Sequence, residues 1–289
     1  MKQYQSKTSL VLFLFPAFLL MGIFLYYPFF MNFYKSFFDW DGFFYSKFIG
    51  LGNYKRLIHD PIIKTAAKNT FILMFFVCII QVGLGLLFAI LVDSIKVGSN
   101  FFKTVFFFPV VISATAIGLL FKLFYVYEGG LLNSIRTIMG KEPVIWLSEE
   151  KAMGMVSIPI IWQYIGFYFV ILLTAIKRIP KELYECAQLD GINGFTKTFY
   201  ITIPLIWDMI KVCLILAITG TLKVFDIVFV ITQGGPMGTT ELFSTYMYQK
   251  TFTDNRFGYG STIAVLIVVL GVVISLLLDK LLKREEITY

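Results

Sequence analysis

Apolar residues are gathered into six long blocks separated by shorter polar stretches, at about 10–27, 70–92, 104–124, 153–176, 205–231 and 262–281. A spanning helix needs ~20 mostly apolar residues to cross ~30 Å of hydrocarbon. The pattern therefore predicts an all-α membrane protein with six transmembrane helices. The first block lacks the small-residue cleavage site of a secretory signal, and Phe24, Tyr26 and Tyr27 stand where such a site belongs, so it reads as an uncleaved anchor. Pro16, Pro109 and Pro159 lie inside blocks. They are expected to kink helices, with neighbouring groups taking up the freed carbonyls. The two largest polar stretches, 31–69 and 232–261, leave no room for a long soluble domain. No fixed-period repeat is evident, so residues 1–289 read as a single membrane domain.

Composition agrees with this pattern. Hydrophobic residues make up 58% of the chain, against about 45–50% in soluble domains, and mean hydropathy is +0.79. Because the surplus falls in blocks, a bilayer explains it better than a larger core does. The net charge of +7 raises the question of nucleic acid, but the basic residues lie between apolar blocks and form no stripe, which points to span-flanking loops and no nucleic-acid partner. Cys78, Cys186 and Cys213 are odd in number with no CxxC pair, so free thiols are expected. His59 is the only histidine, and no metal site is expected around it. Lys and Arg fail to orient the chain. With both termini inside, eleven fall in inner segments and twelve in outer ones, against the usual inner excess. The Lys280, Lys283 and Arg284 cluster favours termini inside only slightly.

One polar segment, 177–204, is too regular for an idle linker. Pro180 suits a first helical turn. Lys181 to Leu189 holds good helix formers, including Glu182, Leu183 and Ala187. Asp190-Gly191 stops that helix, and Asn193-Gly194 signals a second turn. Phe195, Phe199 and Ile203 then follow at i, i+4 and i+8, one face of a second helix, before Pro204 opens the fifth block. The spacing predicts helix, sharp turn, helix.

This segment resembles the cytoplasmic loop of permease subunits in binding-protein-dependent ABC importers. That loop reads E-A-A, three residues, G, nine residues, I, one residue, L-P. Here Glu185, Cys186, Ala187, Gly191, Ile201, Ile203 and Pro204 take those places, with Cys for the first Ala and Ile for Leu. Gly50–Tyr54, Asn69-Thr70, Gly130–Asn133, Trp162, Phe225-Asp226 and Thr232–Pro236 resemble the carbohydrate-uptake branch, the maltose and glycerol-phosphate type. The resemblance implies a type I ABC importer permease fold in a bacterial or archaeal cytoplasmic membrane. It implies that 181–189 is a coupling helix seated in a groove of a separate ATPase. Glu182, Glu185, Cys186, Ala187, Asp190, Gly191, Ile201 and Pro204 would make that coupling loop, with a small residue at 187 for close approach. It also places both termini in the cytoplasm. The implied partners are a second homologous permease, two ATPase subunits, an extracytoplasmic binding protein, membrane lipid and a sugar. No phosphate loop of the G-x-x-x-x-G-K-[ST] type occurs. ATP and Mg would therefore be bound by the ATPase, with no cofactor on this chain and no chemistry of its own.

The same resemblance points to a substrate path in the spans before and after the loop: Gln163, Tyr164 and Phe167, then Gly220, Thr221 and Val224. Packing between helices is the competing reading for these residues. Lys223 and Asp226 are ionisable groups in an apolar run, functional candidates by default, yet at i, i+3 they could simply pair or Lys223 could snorkel. Asp208 and Lys211 read as interfacial. A secondary transporter would call for intramembrane carboxylates and inverted repeats, and a membrane enzyme for clustered His, Asp or Glu. Neither pattern is present. Glycerol phosphate or another polyol derivative is the alternative substrate, although the matched positions are neutral.

Overall fold

The computed structural model describes residues 7–95 and 98–283. Lys2, Lys96 and Arg284, which entered the charge count, lie outside them. In chain order the elements are helix α1 (Leu10–Lys35), strands β1 (Phe38–Trp40) and β2 (Ser46–Phe48), helix α2 (Gly52–His59), α3 (Pro61–Asp93), α4 (Ser99–Val111), α5 (Ala114–Phe124), α6 (Leu131–Ile138), α7 (Ala152–Ile176), α8 (Lys181–Leu189), α9 (194–205), α10 (Trp207–Thr221), α11 (Asp226–Ile231), α12 (Phe243–Tyr248) and α13 (Phe257–Leu281). Five stretches are long and apolar enough to cross a membrane, and a sixth if α4 and α5 count as one.

The chain forms two compact units. The first holds residues 1–60 and 247–268. There β1 and β2 form an antiparallel hairpin in the register Phe38↔Phe48, Asp39↔Lys47 and Trp40↔Ser46. Buried Asn53 donates to the carbonyls of Ser36 and Phe38 at 3.0 and 2.8 Å, fixing α2 against the end of α1. Its Asn residue therefore has a structural task, which a generic Gly-Asn turn signal does not reveal. No residue of the α1 window is buried, as suits a lipid-facing helix.

The second unit, residues 61–246 and 269–289, carries the main core. Leu73, Val77, Ala89, Phe169, Leu172, Leu173 and Cys213 are among its buried members. Glycines let its helices approach closely, the usual device where lipid offers no hydrophobic drive between helices. A Cβ on Gly166 of α7 would sit 1.8 Å from the Phe106 carbonyl oxygen of α4, and one on Gly85 of α3 would meet Phe169 N of α7 at 3.0 Å. Pro159 lacks an N–H, which frees the Met155 carbonyl one turn back, and the Tyr125 hydroxyl donates to it at 2.8 Å.

Two blocks that read as continuous are interrupted. The third becomes α4 and α5, bent by 89°. The interruption is at Ile112–Ser113, three residues beyond Pro109. Ile112 is extended, and Ser113 Oγ accepts from Ala116 N at 3.3 Å as the cap of α5. The fifth block breaks across 222–225 between α10 and α11, with Phe225 at φ −135°. In the first half of α10, Lys211 pairs with Asp279 of α13 at 3.1 Å and with Asp208 at 3.6 Å, so Lys211 and Asp208 belong to an inter-helix ion cluster.

Candidate coupling loop and transport cavity

α8 ends in a complete Schellman motif. Ile192 N donates to the Ala187 carbonyl at 2.9 Å and Gly191 N to the Gln188 carbonyl at 3.1 Å. Gly191 takes φ +76°, the left-handed conformation that this cap needs and that glycine adopts without penalty. Gly194 opens α9 at φ +55°. The two helices are tied together by Tyr184, whose hydroxyl lies 3.2 Å from Thr202 Oγ1 and whose ring lies 5.0 Å from Lys197 Nζ.

The loop presents a distinct outer face. Glu182, Glu185, Cys186 and Asp190 are exposed, and Leu189 is 88% exposed. Ala187 is turned inward, with 5% exposure, so its side chain does not lie on the exposed face of α8. Ile201 and Pro204 are half-buried at the root of α9. Phe195 and Phe199, two members of the i, i+4, i+8 face, are 84% and 61% exposed. Those two are displayed outward, whereas Ile203, the third member, packs against the core.

The eight residues picked from the fourth and fifth blocks all meet at one cavity of about 360 Å³. α7 supplies Gln163, Tyr164 and Phe167. The end of α10 and the interruption after it supply Gly220, Thr221, Lys223, Val224 and Asp226. The bend in the third block places Ala114 at the same cavity and gives Gln163 its partner. Gln163 is 2% exposed and its Nε2 donates to the Ile112 carbonyl at 3.1 Å, a group released by the bend. Only the amide nitrogen can donate to a carbonyl, so the amide orientation follows. Gln163 Oε1 is then left buried without a hydrogen-bond partner among the described residues.

Other lining groups are partly committed. Thr221 Oγ1 donates to the Ala217 carbonyl at 2.7 Å, which leaves its lone pairs available as acceptors. A Cβ on Gly220 would meet nothing within 4 Å, so this glycine keeps the cavity open. Lys223 and Asp226 are both exposed and form no ion pair with each other. The helix on which they would have paired is interrupted between them, and Asp226 instead occupies the first turn of α11, where a carboxylate suits the helix dipole. Ser244 Oγ donates to the Val224 carbonyl, tying the interruption to the first turn of α12.

Gln81 was not among the residues picked from the sequence. It is 2% exposed, lines the cavity and donates from Nε2 to the Ile160 carbonyl at 2.7 Å. A local π-helical turn, Cys78–Val82, carries it. The sequence held a signal, since Gln81 is the only carboxamide in the second apolar block and such groups are costly in lipid unless they have work to do.

An apolar multi-crossing chain with a cavity that gathers several polar side chains among apolar ones and a structured loop outside the apolar blocks has the build of a membrane transport component. The chain belongs to the family of binding-protein-dependent transport system inner membrane components, which residues 81–286 match. It is 37% identical to the probable ABC transporter permease protein YurN of Bacillus subtilis, covering 98% of this chain and 99% of that one. It is 32% identical to the lactose transport system permease protein LacF of Rhizobium radiobacter, covering 92% and 91%. Its fold matches a chain of a bacterial ABC transporter involved in import of the acidic polysaccharide alginate, with a TM-score of 0.84, 24% identity and coverage of 96% and 95%. The same likeness holds for that transporter in complex with its alginate pentasaccharide-bound periplasmic protein. The fold is thus the all-α type I permease fold of ABC importers, and the protein is a multi-pass membrane protein.

Proposed function

We propose that this chain is the permease subunit of an ATP-driven sugar importer, acting as a single permease domain that forms half of the translocation path. The observation that carries the reading is the convergence of all eight path candidates on one cavity, where Gln163 Oε1 is buried and unpartnered. A buried acceptor without a donor is costly, and a ligand hydroxyl would relieve it. Tyr164 and Phe167 offer aromatic faces for a ring, and Thr221 offers lone pairs for hydroxyl hydrogens. The names of relatives such as LacF support a saccharide. Lys223 at the rim keeps glycerol phosphate or another anionic polyol derivative as the alternative.

In this reading a second homologous permease completes the path, and an extracytoplasmic binding protein delivers substrate. Two ATPase subunits bind ATP and Mg and hydrolyse ATP, so this chain has no ATPase site and binds no cofactor. The loop 177–204 faces the cytoplasm, as do both termini. Exposed Glu182, Glu185, Cys186 and Asp190 present α8 to the ATPase, Gly191 sets the turn, and Ile201 and Pro204 join the loop to the fifth crossing. ATP-driven closure of the ATPase pair moves α8 and switches access to the cavity. The test is sugar uptake and ATP hydrolysis measured side by side in vesicles containing the assembled complex. Sugar-stimulated uptake that requires Gln163 supports the reading. Uptake of glycerol phosphate in preference to any neutral sugar would replace it with the alternative.

A further inference from the structure

A buried polar strap, residues 239–245, joins α3 to the wall of the cavity. Within it Thr240, Glu241, Ser244 and Thr245 are each at most 6% exposed. Asn69 of α3, itself buried, grips one end. Its Nδ2 donates to the Thr239 and Glu241 carbonyls at 2.9 and 3.0 Å. Both acceptors are carbonyls, so both amide hydrogens are used and the amide orientation follows. At the other end Ser244 Oγ donates to the Val224 carbonyl, and Val224 lines the cavity.

The strap is braced between these ends. Thr245 Oγ1 accepts from Leu242 N at 2.9 Å, as an N3 side chain does in a capping box, and donates to Glu241 Oε1 at 2.6 Å. Thr240 N donates to the Gly234 carbonyl at 3.1 Å, and the Thr240 and Thr232 hydroxyls lie 2.7 Å apart. Gly234 takes φ +86°, and a Cβ there would overlap Glu241 Oε2, so only glycine suits the position. Separating any of these buried groups would leave donors or acceptors unmatched, at a higher cost than losing an exposed bond. A shift at Asn69 is therefore passed along the strap to Val224 and not absorbed within it. The receiving wall is itself a tight turn, in which the Leu222, Lys223 and Val224 amides donate to the Ile218, Gly220 and Thr221 carbonyls at 3.2, 3.0 and 3.2 Å.

We propose that Asn69 and Ser244 are positioning residues for the substrate path: Asn69 through the strap, and Ser244 at its end, hold the 221–224 wall of the cavity in register with α3. The inference rests on the proposed function only in calling that cavity a substrate path.

The test is hydrogen exchange read by mass spectrometry on the assembled importer in nanodiscs, at 222–224 and 239–245, with α7 as the reference. Asn69→Asp is nearly isosteric but has no amide hydrogen to donate. It should speed exchange roughly 10-fold in both segments, for two lost bonds at roughly 2- to 13-fold each, and leave α7 unchanged. Ser244→Ala should speed exchange at 222–224 by roughly 2- to 13-fold. Because both act through one chain of bonds, the double variant should be no faster at 222–224 than the faster single variant. Lactose or maltose taken up per ATP hydrolysed should fall in both variants, a ratio that reduced assembly alone would not move. Exchange that rises at 239–245 but not at 222–224 in Asn69→Asp overturns the proposal. So do additive effects in the double variant, a rise spread equally over α7, or an unchanged sugar-to-ATP ratio in both variants. If Asn69→Asp does not assemble, Ser244→Ala decides, and unchanged exchange at 222–224 overturns the proposal. A wild-type complex that carries neither sugar would count against the sugar reading, while the exchange pattern still decides this one.

Discussion

Replacing Gln163 with Met separates a role in substrate handling from a role in packing. The two side chains are similar in length, so the perturbation is chiefly the loss of the carboxamide. Two effects follow from the structure. The Ile112 carbonyl loses its donor at 3.1 Å, and leaving such a buried group unsatisfied costs about 1–3 kcal/mol of stability. The acceptor at Oε1, which has no protein partner, is lost to the substrate. A neutral hydrogen bond contributes about 0.5–1.5 kcal/mol net, or roughly 2- to 13-fold in transport efficiency. The stability effect is common to every substrate, whereas the contact effect is not. The assay is therefore initial uptake in reconstituted vesicles for the best sugar and its singly deoxygenated analogues, with ATP turnover followed in parallel. For wild type, one analogue should lose roughly 2- to 13-fold. For Gln163→Met that same analogue and the parent sugar should be handled alike, with basal ATP turnover retained because the coupling loop is untouched. If the variant keeps the full wild-type discrimination among analogues, Gln163 is only a clamp on Ile112 and the cavity reading loses its central residue.

Gly166→Ala should destabilise the protein by about 3 kcal/mol, the upper part of the overpacking range, because its Cβ would press on backbone at 1.8 Å; a lowered melting temperature of the purified complex checks this. Gly191→Pro should abolish co-purification with the ATPase, since φ +76° is closed to proline. Glu185→Lys combined with Leu189→Asp should do the same through the exposed face with the turn intact, and undiminished co-purification and uptake in both variants would sink the coupling assignment. A cysteine at Asn193 should react with impermeant maleimide only in opened or inverted vesicles, and one at Gly238 in intact cells, the reverse pattern overturning the proposed orientation.

Much of this architecture was legible because lipid imposes a coarse rule. Long apolar runs marked the helices, and the observed α7, Ala152–Ile176, differs by one residue from the block read at 153–176. The α8 boundaries followed from Pro180, Asp190 and Gly191, whose backbone preferences are local. Burial direction within the loop was not legible. A helix of nine residues, as α8 is, can turn any face inward, and Ala187 is enclosed while Leu189 is displayed. The Lys223–Asp226 pair failed for a similar reason, since spacing implies contact only along an unbroken helix. Gln81 escaped notice because a single amide in an apolar run resembles helix glue until the π-helical turn places it at the cavity.

The two failures of the continuous-span reading carry information about the site. Irregular backbone at membrane depth leaves polar groups that lipid cannot satisfy, so it persists only where protein or a water-filled space receives them. The interruption at Ile112–Ser113 hands its carbonyl to Gln163, and the one at 222–225 hands the Val224 carbonyl to Ser244. Ala114 and Val224, flanking or within those interruptions, both line the same cavity. Each break therefore spends a side chain to secure one loose carbonyl and opens space beside it. A regular helix through either segment would satisfy its own backbone and leave Gln163 to seek another donor or acceptor. On this argument the cavity is a product of the interruptions, and straightening 222–225, for which Phe225→Leu at the φ −135° break is the mildest change, should shrink uptake before it affects assembly with the ATPase.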